Sequence, residues 1–213
     1  MCIRDSYYGV QLAALSWMRG TMGDLVPLLE QMVIDAPELP TIRAALALAC
    51  AEADRSADTR SALAAFAARG YELPQDSAWL AGMNEYALAA IALADPEFAG
   101  PIFEQLAPYP EQFATAGGIT AEGPVATVLG GLATVLGHFG DADQYFAGAD
   151  DWCARTDTAF FQAHNNLLWA GLLAARDARG DSERARELSA RALALAGAGG
   201  YAGIANGAAA LRS

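Results

Sequence analysis

The side chains that could do chemistry in this 213-residue chain are few and scattered. His138 stands close to Asp141 and Asp143, residue types that could hold a metal. A turn histidine followed by acids in the first turn of a helix, where the macrodipole favours them, accounts for the same residues. His164-Asn165-Asn166 is a polar patch in an otherwise apolar stretch, suited either to hydrogen bonds across to a neighbouring helix or to a ligand. Asp150 and Asp151 adjoin Trp152 and Cys153, but successive helical residues point about 100° apart, so they make no acid–nucleophile dyad. Gly117 to Gly123 (GGITAEG) could cradle a phosphate through backbone N–H groups, yet no basic residue is near it, and the stretch reads as a loop. Cys2, Cys50 and Cys153 are odd in number with no paired spacing. Reduced, buried thiols are expected, and a four-ligand zinc site is not. Nucleophile elbows, HExxH metal motifs and dinucleotide-binding glycine patterns do not occur. The chain therefore reads as no enzyme, with no catalytic residue, no metal and no cofactor.

Positioning these groups falls to helices. Hydrophobic residues make up 54% of the chain, with alanine dominant, which favours helices packed through small side chains. Period-two runs of Val, Ile and Thr are missing, so no sheet is expected in the body. The longest nearly apolar run, Pro124 to Leu136, is too short to cross a bilayer. The N-terminus has a single Arg before Tyr7 and no cleavage-site pattern, so a cytoplasmic, soluble all-α protein is expected.

Charge is unevenly placed. All 13 basic residues are arginine, and none lies between Gly70 and Ala154, where twelve of the 25 acids fall. The other 13 acids balance the arginines, so the net charge of −12 comes from the middle. Such a middle repels phosphate backbones and argues against nucleic acid as a partner. It is either a solubilising surface or an acidic face that meets a basic surface elsewhere in a larger protein.

A register runs through the chain. The triplets Leu25/Leu29/Met32, Thr59/Leu63/Phe66, Ala99/Phe103/Leu106, Ala142/Phe146/Ala149 and Ala185/Ser189/Ala192 each share one helical face. Their first members are 34, 40, 43 and 43 residues apart. Thirteen residues before each stands Leu12, Leu46, Tyr86, Leu129 or Leu172, and four of the five are followed by Ala or Gly. Turn chemistry separates the two members of each pair at Gly20 to Asp24, Asp54 to Asp58, Asp95-Pro96, Gly137 to Asp141 and Gly180-Asp181. Glycine there supplies a left-handed C-cap, and Asp or Ser accepts from the free N–H groups of the next helix. Met1 to Ser6 (MCIRDS) falls outside the register and resembles a translated sequencing adapter. It reads as a non-native leader, leaving 7–213 as one repeat domain and a fragment of a larger protein.

This register resembles tetratricopeptide repeats. It is similar to the helical region C-terminal to the ATPase module of large bacterial signalling proteins, STAND-type or AAA-type regulators fused to class III adenylate/guanylate cyclase or LuxR-type DNA-binding domains. Gly70 to Leu80, Ala107-Pro108-Tyr109 and Gly117-Gly118 carry the likeness most closely. The resemblance implies an all-α, right-handed solenoid of about five helix pairs acting as a non-catalytic protein-interaction or regulatory scaffold. Its partner would be another protein or another domain of its own parent chain, with neither nucleic acid nor membrane involved. Anchor triplets facing solvent, or a sheet anywhere in the body, would overturn that scaffold assignment.

The family register places the first helices along a concave groove. Its positions are Tyr7, Val10, Ala14 and Trp17; Thr41, Ala44, Leu48 and Ala51; Ala81, Glu85, Leu88 and Ile91; Thr127, Gly131, Thr134 and Val135; Leu167, Ala170, Ala174 and Asp177. The groove lacks the Lys, Arg and Asn cluster with which chaperone-binding members clamp a peptide carboxylate. Partner contacts are expected at Tyr7, Trp17, Trp79, Glu85 and Asn165, together with the acids of the middle. An alternative is a small-molecule sensor, with an apolar pocket enclosed by the concave face and the long Pro108–Gly123 connector.

Overall fold

A computed structural model describes residues 3–212, with side chains from residue 8 onward. Met1 and Cys2 of the expected leader, and the side chain of Tyr7, lie outside the described residues. The described residues are mostly helical: α1 (Ile3–Arg19), α2 (Val26–Asp35), α3 (Thr41–Glu52), α4 (Ser56–Ala67), α5 (Trp79–Leu93) and α6 (Pro96–Leu106) precede a two-stranded sheet. After the strands β1 (Phe113–Ala116) and β2 (Thr120–Pro124) come α7 (Val125–Val135), α8 (Phe139–Thr156), α9 (Ala159–Arg176), α10 (Asp181–Gly199) and α11 (Ala202–Ala210). A single 3₁₀ turn, Met22–Leu25, leads into α2. No helix among the described residues is long and apolar enough to cross a membrane.

The expected turns separate the helices. Gly20, Gly137 and Gly180 have left-handed backbones, and Asp54 and Ala94 take the same conformation without being glycine. Side-chain capping is rarer than expected. Asp95 accepts from the Glu97 N–H at 3.0 Å with Pro96 at the first turn, whereas the turns before α4, α8 and α10 have no such cap. Packing rather than capping therefore holds most helix starts in place.

Every anchor residue from Leu25 to Ala192 is buried or half-buried. Thr59, Leu63 and Phe66 are sealed, as are Ala142, Phe146 and Ala149. From α2 onward each helix packs on its sequence neighbour, α1 packs on the 3₁₀ turn Met22–Leu25, and α3, α5, α7 and α9 also pack on one another in order. The chain then folds back on itself: α11 packs on both α9 and α1.

The expectation of a body without a sheet is corrected in the Pro108–Gly123 connector. Its strands pair antiparallel, Phe113 opposite Pro124 and Ala116 opposite Thr120, with an irregularity between Ala114 and Thr115. The hairpin lies against α5, α1 and α7. Tertiary contact explains the pairing. Ala114 is fully buried, Phe113 stacks on Trp152 at 4.6 Å, and the Gly117 N–H donates to the Ser77 carbonyl at 3.1 Å.

Candidate functional site

The hairpin together with α1, α2, α3 and α5 bounds a cavity of about 210 Å³. Val10, Ala14 and Trp17 of α1, Thr41 and Leu48 of α3, and Ala81 and Glu85 of α5 line it, all of them groove positions in the sequence register. Met22, Leu29 and Met32 complete the apolar wall, and Ala116, Gly117, Ile119 and Glu122 of the hairpin cover it.

Two carboxylates face this apolar space. Glu85 projects from the middle of α5. Glu122 projects from β2, where its carboxylate accepts from the Thr120 hydroxyl at 3.0 Å and its backbone carbonyl accepts from Asn84 Nδ2 at 3.4 Å. Asn84 thus ties the hairpin to α5, while its own carbonyl oxygen is buried without a partner among the described residues. Burial raises the Glu122 carboxyl to about 7, against the stabilising effect of Thr120. Burial and the neighbouring Glu122 raise Glu85 well above the usual carboxylate range. Among the described residues no arginine or histidine lines the cavity.

Behind Trp17 the wall is aromatic. Its ring meets Phe160 edge-on at 4.9 Å and His164 at 5.3 Å, with Phe161 at 6.3 Å. Burial lowers His164 to about 4, so the imidazole is neutral and packs as a ring. Trp17 is 7% exposed and serves as a wall between α1 and α9 rather than as a free groove aromatic.

The other expected contact residues are placed elsewhere. Trp79 is 8% exposed, set edge-on to Tyr109 at 5.4 Å, and so presents no open aromatic platform. Asn165 is fully buried among α7, α8 and α9. It accepts from the Thr127 hydroxyl at 3.0 Å and donates to the Phe146 carbonyl at 3.0 Å, so both ends of its amide are used within the fold. His138 is exposed, and Asp143 turns instead to the Trp169 indole N–H at 2.6 Å and to Arg184 at 3.6 Å. Among the described residues no group of three or more His, Cys, Asp or Glu side chains is placed to hold a metal. Cys50 and Cys153 are buried free thiols, raised by burial.

Arginines from outside the basic-free segment reach several of its acids. Arg60 meets Asp95 at 2.6 Å, Arg191 meets Asp150 at 3.1 Å, and Arg176 and Arg184 approach Asp143. These pairs are largely solvated and add little stability singly, but they direct the acidic middle partly inward, toward its own chain.

Glu85 is legible in the sequence as an acid at a groove position within an apolar helix; Asp177, the other acid at such a position, falls at the C-terminal end of α9. Glu122 is not: it sits in a glycine-flanked connector, and only the fold of that connector brings it opposite Glu85.

The acid pair sets a pH dependence. An unfolded Glu ionises near 4.5, while folded Glu122 holds its proton to about 7. Its contribution to stability is therefore full below about 4.5 and is lost as pH rises through about 7. His164, lowered from 6.5 to about 4, works in the opposite sense and only below 6.5. Between pH 6.5 and 8.5 the carboxyls dominate, with the raised Cys50 and Cys153 thiols adding in the same sense toward the upper end. The unfolding midpoint is expected to fall there by about 3–6 °C, and the Glu85→Gln/Glu122→Gln variant to lose most of that slope, both read by thermal denaturation.

Comparison with family models, with curated proteins and with solved structures found no match.

Proposed function

We propose that this chain is a non-catalytic ligand-sensing module: a right-handed, tetratricopeptide-like solenoid of about five helix pairs whose concave face holds a small molecule. The observation that carries the reading is the apolar cavity beneath the hairpin. A peptide groove would be open and continuous. Here Trp17 packs into the aromatic wall and the hairpin lies against α5 and α1, leaving room for a compact molecule rather than an extended chain.

Benzyl alcohol tests this directly. At about ten times its dissociation constant it is expected to raise the unfolding midpoint by about 3–5 °C. Ala81→Leu, which fills the cavity from α5, is expected to remove that shift while preserving the fold. No shift with the wild-type chain, at any attainable concentration, would overturn the reading.

A second reading is favoured by one observation. Tyr8 and Ile34 are 67% and 72% exposed, with Leu28 and Leu39 also open, all on the α1–α2 end. That end suits a scaffold docking onto a partner protein or another domain of the parent chain, as in the bacterial signalling ATPases that the sequence resembles. The hairpin counts against an uninterrupted stack of that kind. Tyr8→Ser/Ile34→Ser is expected to abolish partner capture by the scaffold and to leave benzyl alcohol binding unchanged.

A further inference from the structure

Given that this cavity is a ligand site, as proposed above, we infer that it takes a small organic monocation, an ammonium group on an apolar body, with the ammonium between Glu85 and Glu122 and the body against Trp17, Met32 and Ile119. The two carboxylates come from different elements, α5 and β2, and converge on one space. Among the described residues nothing donates to Glu85, and Thr120 is the one donor to the Glu122 carboxylate. Both residues are half-buried, and a partly desolvated carboxyl with few donors ionises more readily when a positive charge sits beside it.

Size and lining narrow the class. A cavity of about 150 Å³ lined by apolar residues takes benzene, and this one is about 210 Å³. Apart from the carboxylates its side chains are almost all apolar, with Thr41 the remaining polar one, which disfavours sugars and polyols. A hard divalent cation needs about six or more oxygens, and this lining does not supply them. Anions meet two carboxyls and, among the described residues, no arginine.

Charge sign selects a cation. Burial raises both carboxyls, and Glu122 raises Glu85 further, so the pair resists carrying two negative charges at once, which suits one positive charge beside it rather than two. The Trp17 ring adds an electron-rich wall suited to a cation. The chain's net charge of −12 draws cations toward it.

Isothermal titration at pH 7.5 with benzylamine, benzyl alcohol and benzoate, three probes of similar size, tests the assignment. Benzylamine is expected to bind roughly tenfold or more tightly than benzyl alcohol, and benzoate not to bind. In Glu85→Gln/Glu122→Gln the preference for the amine is expected to vanish while benzyl alcohol still binds. Equal binding of amine and alcohol to the wild-type chain overturns the cation assignment and leaves the apolar site standing. Binding of none of the three overturns both. Should the double variant fail to fold, the wild-type amine-to-alcohol ratio decides alone.

Discussion

Phe146→Ala is expected to lower stability by about 3–5 kcal/mol, the upper range for truncating one side chain. Phe146 is fully buried at the junction of α7, α8 and α9. Its ring lies so close to Gly130 that a Cβ added there would come within 2.8 Å of it. On its other side it stacks near-parallel to Trp169, 6.3 Å between ring centres. The backbone carbonyl that receives Asn165 survives the truncation, so the loss isolates packing from hydrogen bonding. Since Gly130 has no side chain to move into the space and Asn165 is held at both ends, the void collapses poorly. Urea denaturation is the check: the midpoint should fall with the slope unchanged. A loss below about 1 kcal/mol would mean that the large-into-small fit between α7 and α8 does not bear the junction.

Gly123→Val should detach the hairpin. Gly123 has φ +100°, a conformation β-branched residues avoid, and a Cβ there would lie 2.8 Å from the Phe161 ring. Strain of about 1–3 kcal/mol adds to the displacement of that ring. Phe161 in turn packs on Trp17, so the disturbance runs from hairpin to cavity wall. Hydrogen exchange over residues 113–124 is expected to accelerate by at least about tenfold, and benzyl alcohol binding to be lost, while amides in α7 through α10 keep their protection. A variant that binds the alcohol normally with a protected hairpin would show that closure of the cavity does not depend on this strand.

Much of the helical order is legible from residue types. Alanine-rich faces, anchor triplets and turn residues act within one or two helical turns, and those forces do not need the rest of the chain. Val10, Ala14, Trp17, Thr41, Leu48, Ala81 and Glu85 share one cavity with the anchors Leu25, Leu29 and Met32, a convergence of separate helices that the phase of any single helix does not encode. Capping is rarer than residue type suggests, because Asp and Ser near a helix start cap only where the backbone turns their oxygen toward the free N–H groups. Among the turns before α4, α6, α8 and α10 that occurs at Asp95. Trp79 and Asn165 fit a contact role by residue type, yet composition alone does not separate a polar or aromatic group at a binding surface from one satisfied inside a helix junction.

What the sequence determined by itself is the mostly helical character of the chain, the burial of its anchor residues and an acid within the apolar helix α5; α11 lies beyond the expected pairs. The tertiary structure alone decided that Phe113–Ala116 and Thr120–Pro124 become strands, because they have no alternating pattern of their own and pair only where α5 and α1 provide a surface to bury Ala114 and bind Glu122. The cavity and its pair of carboxylates follow from that fold-back. Groups distant in sequence share one desolvated space there, and no local period encodes such a meeting.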